Sequence, residues 1–316
     1  MGIARANAAG NVVGRGRPLA ERLQGPASLI AAALIVLAAI RAQTADMAMP
    51  EDAGERSAAQ RTAAAAPSEP TRGAREILLS GYISQPFYYR SDLHLVRPNG
   101  TDLKLKRLGW DGDALMPPID GGIRSMEWWG SFGVMVDFLH NKAVARLGRG
   151  AHGRRIANPV IDEVEIEGAL KGQAVKRTVK LTEIFTRLEF THGHNVLMLT
   201  PMVSLVSFLP GVRPYVGIGA GVAIPHVEVW YPGEAERTNE YQYGGPAAQV
   251  LAGIEIRRGK GSVFIEYKFS YAWIRGTLTG EQSWMNFNMP GDLLRQFRRW
   301  WRGEAAPLGR FTTTLG

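Results

Sequence analysis

The chain has no cysteine. That excludes a disulfide scaffold and any thiolate-held metal, and it leaves the compartment open. Beyond residue 75 there is no apolar run of 18 or more residues, so transmembrane helices are not expected there. No long 3.6-residue period competes in that region, and neither a nucleotide-binding glycine motif nor a serine nucleophile motif is present. Nucleic-acid motifs are also missing, so the formal charge of +8 does not by itself point to DNA or RNA. Residues 1–45 hold five Arg and one Glu, and removing that net +4 takes the chain down to a mildly basic +4.

The N-terminus explains the proposed removal. Arg5, Arg15, Arg17 and Arg22 precede ASLIAAALIVLAAI (27–40), which at 14 residues is shorter than the about 20 that a spanning helix needs. Small residues follow in AQTADMA (42–48), so 1–45 reads as a secretory signal peptide, with an anchor helix as the alternative. Residues 46–75 are rich in Ala, Ser, Pro and charge without a period, and read as a disordered linker. Ordered structure is expected over 76–316.

Within that region the alternation has period two. In PYVGIGAGVAIPHVEVW (214–230), Val216, Ile218, Ala220, Val222 and Ile224 share one face, and Tyr215, Gly217, Gly219, Gly221 and Ala223 the other. An apolar outside over a small-residue inside suits a narrow closed barrel in lipid. Similar stretches occur at 76–89, 119–129, 131–142, 189–207, 213–230, 241–257 and 262–274, with a last one from Arg310. These predict an all-β fold: an eight-stranded antiparallel, up-and-down transmembrane β-barrel. Short turns alternate with long loops at 90–118, 143–188, 231–240 and 275–309, the first carrying a hairpin arm at KLKRLGW (104–110). The stretch after Arg310 is shorter than the about 9–11 residues of a membrane strand, so the last strand reads as truncated. Arg124, Asp137, Glu255, Glu266 and Lys268 fall on inward faces, where they are expected to pair and stabilise the wall. Aromatic residues cluster near strand ends, as at Trp128, Trp129, Trp230 and Trp273, where a membrane interface favours them. A soluble sandwich or lipocalin-like barrel is the alternative.

With the short turns on the periplasmic side, His140, His192, His194, His226 and Glu228 converge on the outer rim. Neutral imidazole ligates metals and transfers protons near neutral pH, so His140, His192, His226 and Glu228 form the expected catalytic and metal-binding set. Histidines that only hydrogen-bond loop backbone remain the other reading. Strict alternation would turn His140 and His226 toward lipid, unless a bulge near Pro225 reverses the parity. The basic stretches RLGRGAHGRR (146–155) and RQFRRWWRG (295–303) suit phosphorylated head groups, with Arg298, Arg299, Trp300 and Trp301 as substrate-binding residues.

The stretches FGVMVDFLHNK, EFTHGHNVLML, RPYVGIGAGVAIPHVEV, YQYGGPAAQVLAGIE and FIEYKFSYAWIRGTLTG resemble the lipid A oxidase-type outer-membrane β-barrel proteins, over roughly 76–315. The resemblance implies outer-membrane residence and oxygen-dependent oxidation of the proximal glucosamine of lipid A to 2-aminogluconate, with hydrogen peroxide as co-product. It implies lipid A or lipopolysaccharide, outer-membrane lipids and the barrel assembly machinery as partners, with no nucleic acid. Molecular oxygen is the expected co-substrate. A divalent metal held by His and carboxylate is the expected cofactor, because side chains alone are poor electron carriers. A non-catalytic outer-membrane barrel, structural or ligand-binding, is the alternative function.

Overall fold

Strands follow the period-two pattern almost wherever it occurs. The computed structural model describes residues 75–207, 209–259, 261–283 and 288–316. The signal peptide and linker read at 1–45 and 46–75 therefore lie outside the described residues, except for Arg75, which opens the first strand. The elements are β1 Arg75–Ile83, β2 Ser91–Arg97, β3 Thr101–Leu108, β4 Trp110–Asp111, β5 Gly121–Trp129, β6 Phe132–Ala145, β7 Glu163–Leu170, β8 Gln173–Lys180, β9 Arg187–Ser204, β10 Val212–Trp230, β11 Arg237–Tyr241, β12 Gly245–Arg258, β13 Gly261–Leu278 and β14 Gly309–Leu315. Among the described residues one long helix, here α1, covers Met289–Arg302.

The strands form one antiparallel sheet of 14, ordered β1-β5-β6-β9-β10-β12-β13-β14-β2-β3-β7-β8, with β11 on β10 and β4 on β6. The path ends at β1 and β8, and the sheet's 14 strands exceed the eight that the sequence predicts. The additional strands come from the long connections. Segments 90–118 and 143–188 carry their own alternation, with Leu93, Leu95, Leu103, Leu105, Val164 and Ile166 buried, and so pair as β2, β3, β7 and β8. Segment 231–240 contributes β11, and 275–309 contributes the end of β13 and the helix.

The sheet has two regions of opposite polarity. In the first, the outward side chains are apolar and exposed: Leu79 at 84%, Ile218 at 68%, and also Ile123, Leu199, Val250 and Ile265. The inward side chains are charged and paired. Arg124 donates to Glu266 at 2.8 Å, as does the Tyr215 hydroxyl, and Lys268 pairs with Asp137, whose other oxygen accepts from Tyr82 at 2.8 Å. Glu255 pairs with Arg257 at 3.4 Å. The five inward charges expected from the sequence are thus all in this ion-pair lattice, which leaves none of them as a lone buried charge.

The glycine face of β10 has a steric cause. Thr200, Met198 and Met202 of β9 fill the space beside it. A Cβ at Gly219 would overlap Thr200 Oγ1 and lie 2.8 Å from the Leu199 carbonyl oxygen. A narrow, filled interior therefore requires glycine where a neighbouring strand's side chain crosses.

In the second region the polarity reverses. Phe185, Phe190, Leu188, Val227, Val229 and Phe311 join the buried leucines of β2 and β3 in one core, while Lys104, Arg275, Thr312 and Glu165 face outward. The crossover comes partway along β6, β9, β10 and β13. Past it lie the histidines.

Candidate metal centre at the sheet rim

The rim site is built by an irregularity in β9. Its ladder with β10 is regular up to Pro225 opposite His194 and resumes at Glu228 opposite Glu189, so three steps along β10 face five along β9. On the other side, Asn141 to Ala143 of β6 faces His194 to Phe190. β9 therefore carries two extra residues against both neighbours. Gly193, at φ +114°, sits in this bulge, where a Cβ would overlap the side chains of Asn195 and His140. The irregularity lies beside Pro225 as the sequence suggested, but the surplus residues are in β9 rather than β10.

The bulge turns Thr191 and His192 onto Glu228, which is buried. Glu228 Oε1 accepts from His192 Nδ1 at 2.9 Å, from His226 Nδ1 at 3.2 Å and from the Thr191 hydroxyl. Its second oxygen accepts from Arg187 at 3.1 Å, and Arg187 also pairs with Glu189 at 2.8 Å. The rings of His152, His192, His226 and Tyr241 follow in file, with centroids 4.7, 4.6 and 4.5 Å apart. Tyr241 closes the file by donating its hydroxyl hydrogen to the His192 carbonyl oxygen at 3.1 Å. The candidate donor atoms of His152, His192 and Glu228 all lie within 4.8 Å of one another.

His152 arrives from a 3-10 turn, Ala151–Gly153, in the loop between β6 and β7. Asp113 pins that turn, accepting from the Ala151 amide at 3.2 Å and from Arg154 at 2.9 Å. Sequence reading treated RLGRGAHGRR only as a basic loop, so His152 was missed. The flanking glycines were the available signal, since Gly148 and Gly153 both take positive φ to fold the loop back over the sheet.

This centre lies past the exposed apolar band. Burial opposes ionisation of Glu228, but hydrogen bonds from His192, His226 and Thr191 outweigh it and hold its carboxyl well below the usual range. Glu189 moves the other way: burial, then repulsion by Glu228, push it well up, with only partial relief from Arg187. Burial also lowers His226, against the pull of Glu228, and lowers His152, helped by His192. Burial thus favours the neutral form of His226 and His152, the form that ligates metal. His226 Nε2 is buried without a hydrogen-bond partner, an orphaned acceptor or donor that a bound group would satisfy. Two imidazoles, one carboxylate and an unsatisfied third imidazole nitrogen are a donor set that fits a divalent transition metal.

Of the predicted set, the structure brings His192, His226 and Glu228 together. His140 is adjacent but separately engaged, its Nδ1 donating to Asn195 Oδ1 at 2.8 Å. His194 is fully enclosed beside Phe190. Neither His140 nor His226 is an exposed outward side chain: His226 is fully buried and His140 half-buried. Arg298, Arg299, Trp300 and Trp301 lie on α1: Arg299 turns inward to Glu240 at 3.6 Å and to Glu281, while the other three are exposed.

No protein-family model, curated protein or solved structure matches the chain.

Proposed function

We propose that the chain is an outer-membrane β-barrel enzyme with a metal centre on its rim. In this reading β1 and β2 are two halves of one wall strand, and with β5, β6, β9, β10, β12, β13 and β14 they make eight positions. The support is connectivity: β1 pairs with β5 while β2 pairs with β14, and residues 84–90 join the two halves. Tyr89, within that join, donates its amide to the Gly316 carbonyl at 2.8 Å. Tyr82 also reaches Lys268 of β13 at 3.2 Å. Apolar outside and ion-paired inside is the polarity expected of a wall in lipid rather than water.

The observation that carries the catalytic reading is the His152, His192 and Glu228 grouping. Two histidines and one carboxylate with open positions typify non-haem iron sites that use molecular oxygen. Bound there, a divalent metal would supply one-electron chemistry that side chains lack. Together with the resemblance to lipid A oxidase-type proteins, this favours oxidation of the proximal glucosamine of lipid A to 2-aminogluconate. Removing the anomeric C–H and O–H hydrogens leaves a carbonyl. The two electrons and two protons released reduce one O2 to one hydrogen peroxide, and water opens the resulting lactone to the acid. His226, neutral and with Nε2 unpaired, is the proton acceptor at hand.

The test is to incubate the detergent-purified protein, loaded with iron, with lipid A bearing a free anomeric hydroxyl, in air. A gain of one oxygen on the proximal sugar, with peroxide released, supports the reading. Folded, metal-loaded protein that gives neither product leaves the non-catalytic barrel as the function.

A further inference from the structure

Helix α1 wears its apolar side outward. Leu294, Phe297 and Trp301, spaced three, four and seven apart, form one stripe with Trp300 beside it, and all four are exposed, Trp301 at 76%. The side turned to the protein is ionic instead. Asp292 accepts from the Tyr241 amide at 2.9 Å, Arg295 pairs with Glu281 at 3.2 Å, and Arg299 pairs with Glu240 at 3.6 Å. A helix lying against a protein in water has the opposite arrangement. Both ends are well defined, with Pro290 in the first turn and Gly303 in the left-handed region at φ +65°. The ends of the helix are therefore fixed by the sequence.

The helix is also fixed in place. Tyr243 donates its amide to Gln296 Oε1 at 2.7 Å and accepts from Gln296 Nε2 at 3.2 Å. Immediately after Tyr243 the chain enters β12, whose outward residues Pro246 and Val250 begin the exposed apolar band. Arg298, exposed and without an ion pair among the described residues, and Arg302 flank the helix's stripe. Aromatic and aliphatic residues on one side, with arginines at its margin, fit an anionic membrane interface.

We infer that α1 is an interfacial helix, seated in the headgroup layer of an anionic lipid leaflet, with Phe297, Trp300 and Trp301 dipping toward the acyl chains. This rests on the membrane reading above and extends it. Asp292 holds Tyr241, and Tyr241 packs edge-on against His226, so seating the helix sets the rim centre at headgroup depth. The substrate class that follows is a membrane-resident lipid with an anionic head group, taken from the leaflet itself.

The absence of cysteine makes a direct test clean. Single-cysteine variants Trp301→Cys, Glu304→Cys and Ile218→Cys would be refolded into vesicles of phosphatidylcholine and phosphatidylglycerol and spin-labelled. Collisions with oxygen, which concentrates in lipid, are then compared with those of a water-soluble nickel chelate. The expected result is an oxygen-to-nickel ratio several-fold higher at 218 and 301 than at 304. A lipid signal at 218 with an aqueous one at 301 overturns the helix inference and leaves the membrane reading standing. Aqueous signals at both overturn both. A label at 301 shielded from both reagents means that protein, a second copy or another chain, covers the helix, which also overturns it. Should Trp301→Cys fail to fold, Leu294→Cys occupies the same stripe and replaces it.

Discussion

The Nδ1–H of His192 meets Glu228 at 2.9 Å because β9 runs two residues longer than β10 over the same length of sheet. Without the bulge, the residues of β9 on this stretch would pair in register with β10, and His192 would have no route to the carboxylate. The site is thus a property of a local irregularity placed where the sheet passes from its apolar-outside region to its apolar-inside one.

His226 shares Glu228 with His192 without belonging to the tightest donor group, so it orients the carboxylate. Its replacement by Ala should weaken metal binding about 10- to 100-fold while the protein still folds. Competition with a metal-sensitive dye measures this. Unchanged affinity would remove His226 from the site.

His194 has no hydrogen-bond partner at Nδ1, and burial pushes it down to about 4. Its folded value lies below the unfolded one of about 6.5. The stability it allows is therefore complete above pH 6.5 and lost as pH falls toward 4. Metal-free protein should lose thermal stability across that window, and His194→Leu should flatten the loss. Parallel curves for the two proteins would contradict the assignment.

Neighbouring residues on β10 should respond oppositely to added bulk. Gly219→Val drives a side chain into Thr200 and should block assembly, since overpacking costs about 1–3 kcal/mol or more where backbone is in the way. Ala220→Val adds carbon to the exposed outer face and should assemble normally. Heat-modifiable migration on gels separates the outcomes.

Ile218→Lys places a charge on the outward apolar band. In a bilayer this costs about 2–4 kcal/mol near the midplane and should reduce insertion into vesicles. A protein that instead becomes soluble without detergent would show that water, not lipid, faces that side.

Much of the wall was legible in the sequence because period-two alternation survives when inside and outside exchange polarity. Val216, Ile218 and Ala220 are outward, and Tyr215 and Gly219 inward, as the alternation requires. Glu228, His192 and His226 were also legible, since chain direction alone puts the ends of β9 and β10 at one level. What was not legible depends on the long connections. The β2, β7 and β8 strands were read as loop, and β3 only as a hairpin arm at 104–110, because their leucines and valines serve a core that forms only once they pair. His152 reaches the site through the Asp113 contact, which no local pattern encodes. The spacing of Leu294, Phe297 and Trp301 did carry a helical signal, but the arginines around it made the segment read as a basic loop.

The most direct test of the account is the metal content of folded protein, wild type against Glu228→Ala, after exposure to iron and removal of loosely bound ions. The account predicts about one ion per chain in the wild type and a near-complete loss in the variant, because a carboxylate ligand and the anchor of two histidines disappear together. Folded wild-type protein that retains no metal would contradict it.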